Sequence, residues 1–134
     1  MTKNHLRLID ANLNRLREGI RVIEDIFRYI YNDKQNASRL KQLRHKCRID
    51  LYNDLLSSRD IKNDVLKKST KSEQTREDLY SILIANFKRA QESSRVLEEF
   101  TKLISATNSE NFKDIRYELY DLEIVLTNIT SNSK

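Results

Sequence analysis

With 134 residues, 38% of them hydrophobic, the chain can build one modest core but not two. One glycine and no proline exclude glycine-rich phosphate loops and dinucleotide fingerprints, and a single cysteine excludes an internal disulfide framework. The net charge of +5 on 34% charged residues favours anionic partners, with phosphorylated metabolites, nucleic acid and acidic lipid all qualifying.

So few chain breakers, with apolar residues recurring at three and four, predict a chain that is nearly all helix. The first helix is expected from about Asn4 to Tyr31, a rod of about 40 Å at ~1.5 Å per residue, followed by a turn at Asn32 and Asp33. A second helix follows to about Leu56, with Leu40, Leu43, Cys47, Leu51 and Leu55 as its buried seam and Arg39, Lys41, Lys46 and Arg48 outside. From residue 58 to 71 the pattern lapses into a polar connection. Thr70 with Glu73 reads as a capping box opening a third helix that runs to about Ser105. Thr107 with Glu110 repeats the signature for a fourth, burying Phe112, Ile115, Leu119, Leu122, Leu126 and Ile129. No secretory segment opens the chain and no apolar run approaches the roughly 18 residues of a membrane span, so a cytoplasmic protein without a membrane partner is expected. Cys47 fits that reducing compartment.

The chain repeats itself. Residues 11–24 align with residues 85–98 at an offset of 74 positions. In the wider window, Ala11/Ala85, Asn12/Asn86, Arg15/Arg89, Glu18/Glu92, Arg21/Arg95, Val22/Val96, Glu24/Glu98 and Ile30/Ile104 are identical. Unrelated segments would share roughly one or two, which makes this an internal duplication. Leu40 to Arg44 echoes Phe112 to Arg116. Each half is then a long helix with a shorter one returning beside it, over about residues 4–57 and 72–131. The expected architecture is an all-α four-helix bundle, a single domain of two hairpins related by a pseudo-twofold axis, with the long connection between helices two and three.

On a helical wheel Ile9, Leu16, Ile20, Ile23, Phe27 and Ile30 share one face, as do Leu83, Phe87, Ala90, Leu97 and Ile104 in the second copy. Asn12 and Asn86 fall within that stripe, and Arg15 and Arg89 at its edge. Such groups must find partners, in the protein or in a ligand, because an unpaired buried polar group costs roughly 1–3 kcal/mol. The duplicated Asn-x-x-Arg-x-x-Glu is the best candidate site. Arg15 and Arg89 offer forked donors for phosphate, Asn12 and Asn86 suit a heterocycle edge or hydroxyl, and Glu18 and Glu92 could orient the arginines or accept a proton. The plainer alternative is a polar network clamping the hairpins, with Arg to Glu pairs at i, i+3. Arg21, Glu24, Arg95 and Glu98 point away and read as solvated or interhelical salt bridges. Arg44 and Arg116 either complete a cationic pocket or are structural. In the connection, Arg59, Asp60 and Asp64 could supply phosphate and magnesium contacts, against the alternative of a plain linker. Two distant histidines and one cysteine argue against zinc, and no Ser-His-Asp or Cys-His motif is present.

The blocks Asp10 to Asp25, Leu40 to Lys46, Arg59, Asp60, Asp64 and Val65, Glu73 with Arg76, Ala85 to Phe100 and Ile115 to Glu123 together resemble the small all-helical, monofunctional hydroxymethylpyrimidine phosphate kinases of thiamine biosynthesis. Members of that family stand alone or are fused ahead of thiamine-phosphate synthase, and with no barrel following, the resemblance implies the standalone form. It also implies transfer of the ATP γ-phosphate to a pyrimidine monophosphate. On that reading Arg15, Arg89, Arg44 and Arg116 hold phosphates, Asn12 and Asn86 the pyrimidine, and Asp60 or Asp64 a Mg²⁺ ion. The family usually has a glycine where this chain has Leu66, and a threonine near Ile61, which puts the connection's role in question. The competing expectation is a non-catalytic helical module that binds a phosphorylated ligand or docks onto thiamine-phosphate synthase. Nucleic-acid binding through the basic runs ranks last because no aromatic residues interleave with them. A homodimer, and one pocket or two, stay open.

Overall fold

The computed structural model describes residues 1–132, apart from the side chain of residue 72. All regular structure among these residues is helical. Helix α1 (Lys3–Asp25) starts at a capping box, in which the Thr2 hydroxyl accepts from the His5 amide and His5 Nδ1 accepts from the Thr2 amide, both at 3.2 Å. It continues into a π-helical turn, Ile26–Ile30. That wider turn departs from 100° per residue, so Phe27 stays fully buried while Ile30, expected on the core face, is 58% exposed. Asn32 then reverses the chain in the left-handed region at φ 51°, which asparagine tolerates better than most residues. Asp33 caps α2 (Lys34–His45) by accepting from the Asn36 amide.

The expected second helix is broken. It stops at His45 and a short helix, α3 (Tyr52–Ser58), follows a bend. The reason is Ile49. Cys47 and Ile49 are both buried, yet two residues apart on an α-helix they would point about 200° away from each other. Breaking the helix lets both enter the core, where α3 packs on α1. The third helix also differs from expectation. Thr70 and Glu73 do form their capping box, but it opens only a single turn, α4 (Lys71–Gln74), since residues 71–78 offer no apolar side chain to anchor it. The long helix α5 (Leu79–Phe100) starts instead at Asp78, whose carboxylate accepts from the Ser81 amide at 2.8 Å. After a 3₁₀ turn (Thr101–Leu103), α6 (Ala106–Asn132) begins two residues earlier than Thr107 would place it, with the Ser105 hydroxyl accepting from the Asn108 amide.

The bundle is built on α1 packed antiparallel against α5, with α2 and α3 on the outside of α1 and α6 on the outside of α5. Gly19 permits the close approach at the centre. A Cβ there would sit 3.2 Å from the Asn86 carbonyl oxygen and 3.5 Å from the Ala90 Cβ. Leu16, Ile20, Ile23, Leu83, Phe87 and Leu97 fill the interface around it, and Phe112, Ile115, Leu119, Leu122 and Leu126 close the core from α6. Arg39 of α2 ties the two outer helices together through Glu118 and Asp121 of α6. No described helix is long and apolar enough to cross a membrane.

Candidate functional site

The same residues of the two copies make the same interhelical pairs. Arg44 of α2 donates to Glu24 of α1 at 2.8 Å, and Arg116 of α6 donates to Glu98 of α5 at 2.8 Å. Glu24 is 1% exposed and Arg44 14%, so this is a nearly dry ion pair. Hydrogen bonding to Glu24 holds the Arg44 guanidinium above its ordinary pKa. Arg116 is held the same way by Tyr120 and Glu98, and its guanidinium also stacks on Tyr117. These arginines, expected either to complete a cationic pocket or to be structural, fasten α2 to α1 and α6 to α5. Beside Arg44, burial pushes the Cys47 thiol up to about 12.

Arg15 and Arg89 are placed otherwise. Gly19 lies one turn beyond Arg15, and Asn86 one turn before Arg89, so the close crossing of α1 and α5 brings both guanidinium groups to one cleft. Neither makes a hydrogen bond or an ion pair with any described residue, and the i, i+3 pairs to Glu18 and Glu92 do not form. The cleft has two adjoining cavities, of ≈ 660 Å³ and ≈ 1090 Å³, whose common wall is Asn12, Arg15, Ile61, Asp64 and Arg89. Glu18, Arg59 and Asp60 line the first, and Glu92 lines the second. Asn12 and Asn86 make matching bonds, their side-chain amides donating to Leu8 O at 2.9 Å and Ile82 O at 2.8 Å. Only Asn12 lines these cavities, with its side-chain oxygen still open as an acceptor.

The connection makes the two copies unequal. It crosses α1 and is fastened there twice. Arg59 grips Asp10 through two bonds of 2.8 and 2.9 Å, and Arg7 donates to the Asp60 carbonyl at 2.9 Å. The Asp60 carboxylate accepts from the Asn63 side chain at 2.7 Å and its amide at 3.1 Å, which holds Asp60 below the usual carboxylate range. Asp64 accepts from the Leu66 amide through Oδ1, leaving Oδ2 open. Leu66, where the family glycine was expected, has no positive φ and is 85% exposed, so the backbone here does not need glycine.

No cluster of three His, Cys, Asp or Glu side chains among the described residues could cage a metal ion alone. Asp60 and Asp64 lining one cavity fit the lighter donor set that suffices for Mg²⁺ when substrate phosphates and water complete its shell. Arg7, Asp10 and Asn14 also line this cavity and were not singled out from sequence. Their signal was available: Asn4, Arg7, Ala11, Asn14, Arg15 and Glu18 follow the three-and-four spacing of one helix face.

The model of the ThiD2 family matches residues 7–125. The thiamine-phosphate synthase of Synechocystis sp. is 39% identical over 118 residues, covering 87% of this chain and 34% of that protein. Those of Prochlorococcus marinus and Rhodopirellula baltica are 38% and 36% identical, over 93% and 96% of this chain and 36% and 37% of theirs. The chain thus spans about a third of the length of the curated relatives it matches. No solved structure matches it. With nearly the whole chain covered, the protein belongs to the ThiD2 family.

Proposed function

We propose that the chain is a kinase of thiamine biosynthesis, transferring the γ-phosphoryl group of ATP to hydroxymethylpyrimidine monophosphate to give the diphosphate. The observation that carries this reading is the common wall of the two cavities, where one exposed arginine from each repeat, without a hydrogen bond or ion pair among the described residues, lies with Asn12 and Asp64. Kinship with thiamine-phosphate synthases supports the pathway.

The chemistry asks for little beyond what the wall offers. An oxygen of the acceptor phosphate attacks the γ-phosphorus, a P–O–P bond forms, and the bond to ADP breaks. A phosphate monoester has its second pKa near ~6, so its nucleophilic oxygen is already ionised at neutral pH and no general base is required. The obstacle is repulsion between two polyanions. Arg15 and Arg89, exposed and uncommitted, offset it and favour the charge on the transferring group. Asn12 offers an acceptor and Asn14 a donor for an aminopyrimidine edge in the first cavity. Asp60 and Asp64 would hold Mg²⁺, which would supply positive charge to offset the negative charge of the phosphates. On this reading neither Glu18 nor Glu92 has to move a proton.

A coupled assay of ADP release with the pyrimidine monophosphate tests this directly. Turnover that collapses in Arg15→Ala and Arg89→Ala, with both variants folded, is expected. Ligand-induced thermal stabilisation without ADP release would replace the kinase with a non-catalytic binding module.

A further inference from the structure

The second cavity adjoins a third, of ≈ 620 Å³, with Glu73 and Arg76 lining both. The two differ in chemistry. Six cationic side chains against three carboxylates line the second, Lys62, Lys67 and Lys68 from the connection among them with Arg15 and Arg89. The third is lined by Tyr80, Ile84 and Ala85 of α5, with Thr75, Glu77 and Ser81 at its polar edge. Tyr80 and Ile84 stand four residues apart on one helix face, half-buried and outside the core, so they present an aromatic and an aliphatic surface side by side. No aromatic side chain lines the first two cavities. The sequence of surfaces along the cleft is thus amide-rich, then cationic, then aromatic.

We propose that the nucleoside triphosphate donor lies along the second and third cavities, its base on Tyr80 and Ile84 and its phosphates running under Lys62, Lys67 and Lys68 toward Arg15 and Arg89. The inference rests on the kinase reading and assigns Tyr80 as a nucleotide-binding residue. A purine presents a flat ring that stacks on an aromatic face, followed by a polyanion that needs several cations in a row. This order of cavities offers both and ends the phosphate chain at the wall shared with the acceptor. The single-turn α4 separates the two parts of the nucleotide: Glu73 is occupied capping Thr70, which holds it below the ordinary glutamate range, and Arg76 lines both cavities at the junction.

Steady-state kinetics of Tyr80→Ala and Tyr80→Phe, varying each substrate separately, test it. Stacking of one base is worth about 1–3 kcal/mol by alanine substitution, so KM for ATP should rise roughly 5- to 150-fold in Tyr80→Ala. KM for the pyrimidine phosphate should not move, and Tyr80→Phe, which keeps the ring, should raise KM for ATP much less than Tyr80→Ala. Competitive inhibition by ADP should weaken in Tyr80→Ala while inhibition by inorganic tripolyphosphate, which has no ring, stays the same. Loss of the tripolyphosphate effect alongside ADP, an unchanged KM for ATP, or a rise confined to the pyrimidine substrate would overturn the assignment and leave the kinase intact. Absence of turnover in the parent protein overturns both.

Discussion

Four arginines of this chain come from the duplicated blocks, and the fold divides them into two kinds. Arg44 and Arg116 are nearly covered, and each is locked onto a glutamate of the neighbouring helix at 2.8 Å. Arg15 and Arg89 are exposed in a cleft, without a hydrogen bond or ion pair to any described residue. The residue type is the same and so is the duplication, so neither reveals the role. What separates them is the carboxylate: Glu24 and Glu98 sit where the returning helices pass, whereas Glu18 and Glu92 lie beside their arginines without pairing. A charge that is neutralised within the fold holds helices together, and one left open in a cleft is available to a ligand.

The sharpest break in this contrast is to remove the buried anion. Glu24→Ala leaves Arg44 uncompensated and should cost about 3–5 kcal/mol of stability, read by denaturant unfolding. Glu98→Ala should cost less, since its site is wetter. Arg15→Ala or Arg89→Ala should instead lower kcat/KM about 10²- to 10³-fold with Tm unchanged. If either free arginine carried stability, the division would fail. Inorganic phosphate should raise the Tm of the parent protein and do so less in the Arg15→Ala, Arg89→Ala double variant.

Smaller effects probe the boundary between the two regions. Asp10→Asn loosens the Arg59 grip that fastens the connection. Because Arg59 is 40% exposed the pair is worth at most about 1 kcal/mol, so KM should rise no more than roughly fivefold, and the connection should be cut earlier by protease. Smallest of all at neutral pH is the Cys47 response, which grows only in alkali. Burial raises its pKa from 9.0 to about 12, so the folded chain keeps a proton that the unfolded chain releases. Its contribution to stability is complete below pH 9.0 and is lost as pH rises toward 12. Alkaline unfolding curves of Cys47→Ala should lack that component, and the native thiol should resist alkylation near pH 8.

The core and most of the cleft were legible because both follow from helix periodicity. Leu16, Ile20, Phe87, Phe112 and Leu119 could be read as buried from their spacing alone, and Asn12, Arg15 and Arg89 as special because the duplication keeps them. Helix ends were less legible. Ile49 broke the second helix because its burial depends on a neighbour, α1, that periodicity does not include. Thr70 and Glu73 capped a single turn, since a cap satisfies backbone groups but cannot supply the apolar contacts that propagate a helix.

The amino-acid sequence by itself determined the helical class, the duplicated blocks, the apolar faces and the pool of arginines, asparagines and carboxylates. Those are local properties of side-chain type and spacing. Only the tertiary structure decided which arginine met a glutamate and which met open space. It also decided that the connection would close over Asn12 and not Asn86. Pairing and enclosure depend on which surfaces are brought within a few ångströms, and here the close crossing at Gly19 and the two fastenings of the connection to α1 set those distances.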